Sequence, residues 1–196
     1  MLQTDIYNQA TGNEATNTIY IDSSGVRNFG QVRLAALTAN SILNSCEFYY
    51  RIALHDSFDL ANVPPETIAA LIRQSSIRMY ISLYHSLSPL KNYDGYDDVE
   101  NPNIIHLNIW KMDRSPASIC NSIIHSCVHA VNALHSEYSF GHGDTSIQGK
   151  ENTAPYWIGA LAQKMASKDD AVIIPLEHDR YEPLAKNVRK HYPARA

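Results

Sequence analysis

The sequence predicts an α+β domain, mostly helical, with a small β-sheet. Three observations carry this. Two short segments of β-branched and aromatic residues lie far apart in the chain, apolar residues elsewhere recur at helical spacing, and proline or capping serine marks helix starts. With 196 residues, 44% of them hydrophobic and 18% charged, the chain can bury roughly 70% of its unfolded surface as one domain. No internal repeat divides it, so residues 1–196 are read as a single unit, irregular over 1–16 and 178–196.

Thr18–Asp22 alternates and ends at Ser23-Ser24-Gly25, which predicts a short strand. From Phe29 to His55, Val32, Leu34, Leu37, Ile42, Leu43, Phe48 and Ile52 predict one long helix with an interruption near Asn40-Ser41. Pro64-Pro65-Glu66 opens a second helix, expected over Glu66–Leu87 on Ile68, Leu71, Ile72, Met79 and Leu83. Ser88–Pro102, rich in proline and acidic residues, is expected to be a surface loop. Asn103–Trp110 reads as a strand. Ser115 then stands at a cap and Pro116 at the first helical position, opening a third helix over Pro116–Asn132. The loop Gly141-His142-Gly143-Asp144 leads to a fourth helix over Ala154–Met165, and Val172–Pro175 reads as a brief strand.

Composition excludes several function classes. A net charge of −4 argues against a general nucleic-acid binder, and no apolar run approaches the length needed to span a membrane. The N-terminal residues show neither the basic start nor the apolar core of a secretory signal. A cytoplasmic location is therefore expected, and action outside the cell, as by a delivered toxin, would need a non-classical route. Cys46, Cys120 and Cys127 are too few and scattered for a disulfide framework. Cys120 and Cys127 share a helical face with Ile124 and Val131, which predicts buried apolar thiols.

The chemistry concentrates in His125-Ser126-Cys127-Val128-His129-Ala130-Val131-Asn132-Ala133-Leu134-His135. Two imidazoles four residues apart project from one face of a helix and can grip one zinc ion. At 100° per residue, Cys120, Ile124, Cys127, Val131 and Leu134 share one direction, while His125, His129 and Asn132 fall nearly opposite. The histidines therefore face solvent or a cleft. An exposed polar face is the plain alternative, but four of nine histidines lie between positions 125 and 142, where even scattering over 196 positions would put about one.

This spacing resembles the zinc-binding helix of the zincin metallopeptidases, HExxH, and in its longer form the metzincin pattern HExxHxxGxxH. The strand just before the helix is similar to the zincin layout, in which an edge strand borders the substrate cleft. The resemblance runs from Asn103 to the fourth helix and implies a zincin-like fold, a Zn2+ cofactor held by His125 and His129, and hydrolysis of a peptide or protein substrate. For a third ligand, His135 matches metzincin spacing if the helix turns sharply at Asn132, where the family has glycine. His142 and Asp144, flanked by glycines, are equal candidates, and Glu151, in the manner of a gluzincin, ranks below them. Tyr156, at the start of the fourth helix, either stabilises an oxyanion, as tyrosines do in several zincins, or is an ordinary half-buried aromatic beside Trp157.

The departure is Ser126, which occupies the position of the family's general-base glutamate. A serine hydroxyl cannot replace that base, and losing a general base costs about 10²- to 10⁴-fold in rate. The chain as written is therefore expected to be a nearly inactive hydrolase scaffold, with the residue altered from an active form, the protein a natural pseudoenzyme, or another carboxylate such as Glu137 serving instead. A non-catalytic metal-binding or interaction module is the competing function. A thiol hydrolase using Cys127 or Cys120 is disfavoured, because the thiols and the histidines occupy opposite faces.

Overall fold

The computed structural model describes residues 19–27, 29–85, 95–97, 100–141 and 151–167. It is an α+β fold in which, among the described residues, a four-stranded sheet, order β1-β2-β4-β3, packs with five α-helices. The strands are β1 (Tyr20–Asp22), β2 (Arg78–Tyr84), β3 (Gly95–Asp97) and β4 (Ile104–Asn108). The helices are α1 (Gly30–Leu43), α2 (Cys46–Ala53), α3 (Pro65–Gln74), α4 (Pro116–Leu134) and α5 (Ala154–Ser167). β1, β2 and β4 run parallel, and β3 pairs antiparallel with β4 at the edge. Among the described residues no helix is long and apolar enough to cross a membrane.

The largest correction concerns β2. Met79 and Leu83 match a helical i, i+4 pair, but helix α3 stops at Gln74 and Arg78–Tyr84 is the strand that joins β1 to β4. Its physical signature is period two: Met79 and Ile81 are buried while Arg78 and Tyr80 are exposed. Ser75 makes the break. It takes up an extended conformation, and its hydroxyl donates to the Leu71 carbonyl at 2.7 Å, satisfying one of the last helical acceptors.

The first helical stretch is two helices, and the break falls at Asn44–Ser45, beyond the expected Asn40-Ser41. Tyr49 of α2 reaches back and donates its hydroxyl to the Leu43 carbonyl at 2.7 Å, closing the end of α1. The core face of α1 is also different from expectation. Val32, Ala35, Ala36, Ala39, Ile42 and Leu43 are buried, whereas Leu34 and Leu37 are each 52% exposed.

Asn40 has another task. The Ile21 N–H donates to Asn40 Oδ1 at 2.8 Å, and Asn40 Nδ2 donates to the Ile21 carbonyl at 2.9 Å. One side chain thus closes the outer edge of β1 as a neighbouring strand would, at a residue that is itself fully buried. Asn40→Ala is expected to cost about 2 kcal/mol in denaturant unfolding, because two backbone groups lose partners they cannot readily recover from water.

Segment Ser88–Pro102 contributes the short strand β3 as well as loop, and Trp110 lies past the end of β4 in a 3-10 turn (Ile109–Lys111). The sheet edge beside α4 is therefore β3, not the strand that precedes the helix. The Ser115 cap is observed: its hydroxyl accepts from the Ser118 N–H at 3.2 Å, with Pro116 as the first helical residue. α4 runs to Leu134, two residues beyond expectation, and Leu134 is 55% exposed instead of joining the apolar face.

α4 packs along α5 and α1 and touches β3 and β4. At the α4–α5 contact a Cβ on Gly159 would lie 2.4 Å from Asn121 Oδ1 and 3.1 Å from the Asn121 carbonyl, so any larger residue would have to displace the Asn121 side chain. The expected strand at Val172–Pro175 and the irregular termini 1–16 and 178–196 lie outside the described residues.

Candidate metal centre

Helix α4 is buried on most of its circumference by Ile119, Cys120, Ile123, Ile124, Cys127, Val128, Ala130 and Val131. His125 and His129 are only partly buried, one turn apart on the remaining stripe. Their Nε2 atoms are 3.1 Å apart and their ring centroids 4.7 Å apart. Two nitrogens bound at about 2.05 Å to one tetrahedral zinc ion stand about 3.3 Å apart. The 3.1 Å contact, itself a hydrogen bond between the two rings, has the length of such an edge to within a few tenths of an ångström.

Protonation supports the same chemistry. A metal needs neutral imidazole, and desolvation pushes the His129 pKa down from 6.5 to about 4. Protons therefore bind the unfolded chain at pH values where folded His129 stays neutral. Stability contributed by this group is fully present above about pH 6.5 and is lost as pH falls toward about 4. Between pH 7 and pH 5 the metal-free protein should lose about 2 kcal/mol in urea unfolding from this residue. His129→Gln should remove that part of the acid sensitivity.

Tyr156, in the first turn of α5, sets its ring edge-on to His125 at a centroid distance of 4.6 Å. Tyr156 therefore lies against the histidine helix. Ser126 lies beside His125 and is partly buried. His135 is not brought to the pair. Because α4 continues through Leu134, His135 ends the helix as its C-cap, about 9 Å along the axis from His129, with its Nδ1 3.7 Å from Glu137 Oε1. Glu137 is 60% exposed at that contact.

The reason lies in Asn132. Instead of supplying a left-handed turn, it stays helical and uses its side chain. Its Nδ2 donates to the Tyr138 carbonyl at 2.7 Å and its Oδ1 accepts from the Phe140 N–H at 3.0 Å. Phe140 also accepts from the Ala154 N–H at 3.2 Å, so the start of α5 and the chain leaving α4 meet there. Gly141, at φ +87°, passes so close to the Asp59 carbonyl that a Cβ would overlap it. His142 and Asp144 lie outside the described residues. Among the described residues no third His, Cys, Asp or Glu, Glu151 included, joins the pair.

The thiols do not contribute. Cys120 and Cys127 are buried in the core, and burial pushes the Cys120 thiol up to about 12, far from a nucleophilic thiolate.

Sequence reasoning missed one polar cluster near this site. His55 packs against both Phe58 (4.6 Å) and Trp157 (4.3 Å), which also meet each other edge-on at 5.7 Å, and its Nε2 lies 2.8 Å from Asn152 Oδ1. The partners are 97 positions apart in the chain, and no local spacing marks them. No protein-family model, curated protein or solved structure matches this chain.

Proposed function

We propose that this chain is a zinc-dependent, metallopeptidase-like hydrolase scaffold acting on peptide or protein amides, with catalysis disabled by Ser126. The observation that carries the reading is the 3.1 Å approach of the His125 and His129 Nε2 atoms on one helix. The low pKa of His129 supports it, because the nitrogen keeps its lone pair available in mildly acidic as well as neutral solution. When bound, zinc would supply Lewis acidity at a polar stripe beside an otherwise apolar helix. His125 and His129 would hold it, and Tyr156, edge-on to His125, would limit the ring's rotation. His135 is disfavoured as a third donor, because it caps the end of α4 beside Glu137.

Ser126 favours a second reading, a non-catalytic metal-binding or interaction module on the same helix. It carries no carboxylate to take a proton from a nucleophile. Zinc titration into full-length, metal-free protein against a competing chelator at pH 7 tests both readings together. One tightly held equivalent is expected, and under half an equivalent retained after gentle purification would contradict the metal site.

A further inference from the structure

The clip between His55 and Asn152 bears on the histidine pair. Asn152 Nδ2 donates to the Ser57 carbonyl at 3.1 Å and to Asp59 Oδ1 at 3.0 Å. With both amide hydrogens so engaged, Asn152 Oδ1 must act as acceptor toward His55, and His55 must carry its proton on Nε2. The backbone repeats the link, since the Asp59 N–H donates to the Asn152 carbonyl at 3.0 Å. Asn152 stands two residues before Ala154, the first residue of α5, and His55 packs on Trp157, the neighbour of Tyr156. The clip and the stack therefore fix both sides of the turn that sets Tyr156 against His125.

We infer that Asn152 is a positioning residue for the metal-binding pair: it pins the first turn of α5 so that Tyr156 holds the His125 ring in place. This rests on the zinc reading above. In Asn152→Asp a carboxylate oxygen would replace the amide donor and face the Ser57 carbonyl and the Asp59 carboxylate, so the clip should open. His55→Phe is the milder form. It keeps the stack on Phe58 and Trp157 and loses only the Nε2–H donor.

The test uses full-length proteins and two readouts: imidazole proton shifts of His125 in the metal-free state, which report the Tyr156 ring, and zinc affinity by chelator competition. Asn152→Asp should move the His125 shifts toward those of Tyr156→Leu and weaken zinc about 10- to 100-fold, the range for a lost supporting contact. In a Tyr156→Leu background the same substitution should change zinc affinity by no more than about twofold. Asn40→Ala, which loosens β1 instead, should keep wild-type values in both readouts, so general destabilisation is told apart from positioning. If Asn152→Asp does not fold, His55→Phe should give a smaller displacement in the same direction. Wild-type His125 shifts in these variants would overturn the inference, as would a zinc loss of equal size with and without Tyr156. If the wild-type protein binds no zinc, the metal reading fails while the His125 shifts still decide the positioning role.

Discussion

Ser126→Glu in the zinc-loaded protein should raise hydrolysis of an unstructured protein substrate by about 10²- to 10⁴-fold, the usual contribution of a positioned general base. A carboxylate one residue after His125 would sit beside the histidine pair by helix geometry alone, with no rearrangement of the fold. The site can accommodate the change, because Ser126 is partly exposed while most of α4 is packed in the core. Turnover of a casein-type substrate, with and without chelator, measures it. A chelator-sensitive rise supports a disabled hydrolase. Unchanged turnover in a folded, metal-loaded Ser126→Glu protein would instead favour the non-catalytic module.

His129→Ala should weaken zinc by more than about 100-fold. The loss of an outer supporting contact alone costs about 10- to 100-fold, and this change removes a ligating nitrogen from a pair already set 3.1 Å apart. His125→Ala should do the same, whereas His135→Ala should leave affinity near wild type because that ring pairs with Glu137. Chelator competition on the purified variants checks this. Equal losses for His135→Ala and His129→Ala would mean that α4 ends earlier in the zinc-bound protein than in the structure described here.

Local signals in the sequence were enough to place α4. Ser115 and Pro116 mark its start, and the apolar positions Cys120, Ile124, Cys127 and Val131 turn away from the histidines, as their buried and part-buried states show. Features decided by distant contacts were not legible. β2 carries a helix-like Met79 to Leu83 spacing, and only pairing with β1 and β4 makes Arg78–Tyr84 a strand. Asn132 suits a left-handed turn by its own preference, but two hydrogen bonds to the 138–140 backbone keep it in the helix and carry His135 away from the pair. Asn40 and Asn152 follow the same pattern. Each looks like a helix or turn breaker in sequence, and each serves as a side-chain clamp on backbone far away.

Zinc K-edge X-ray absorption on full-length protein loaded with one equivalent at pH 7 tests the proposed metal centre most directly. Two or more imidazole nitrogens at about 2.0–2.1 Å, reduced in number by His125→Ala and by His129→Ala, is the expected spectrum. A bound zinc with no imidazole in its shell, or a shell untouched by both substitutions, would contradict it.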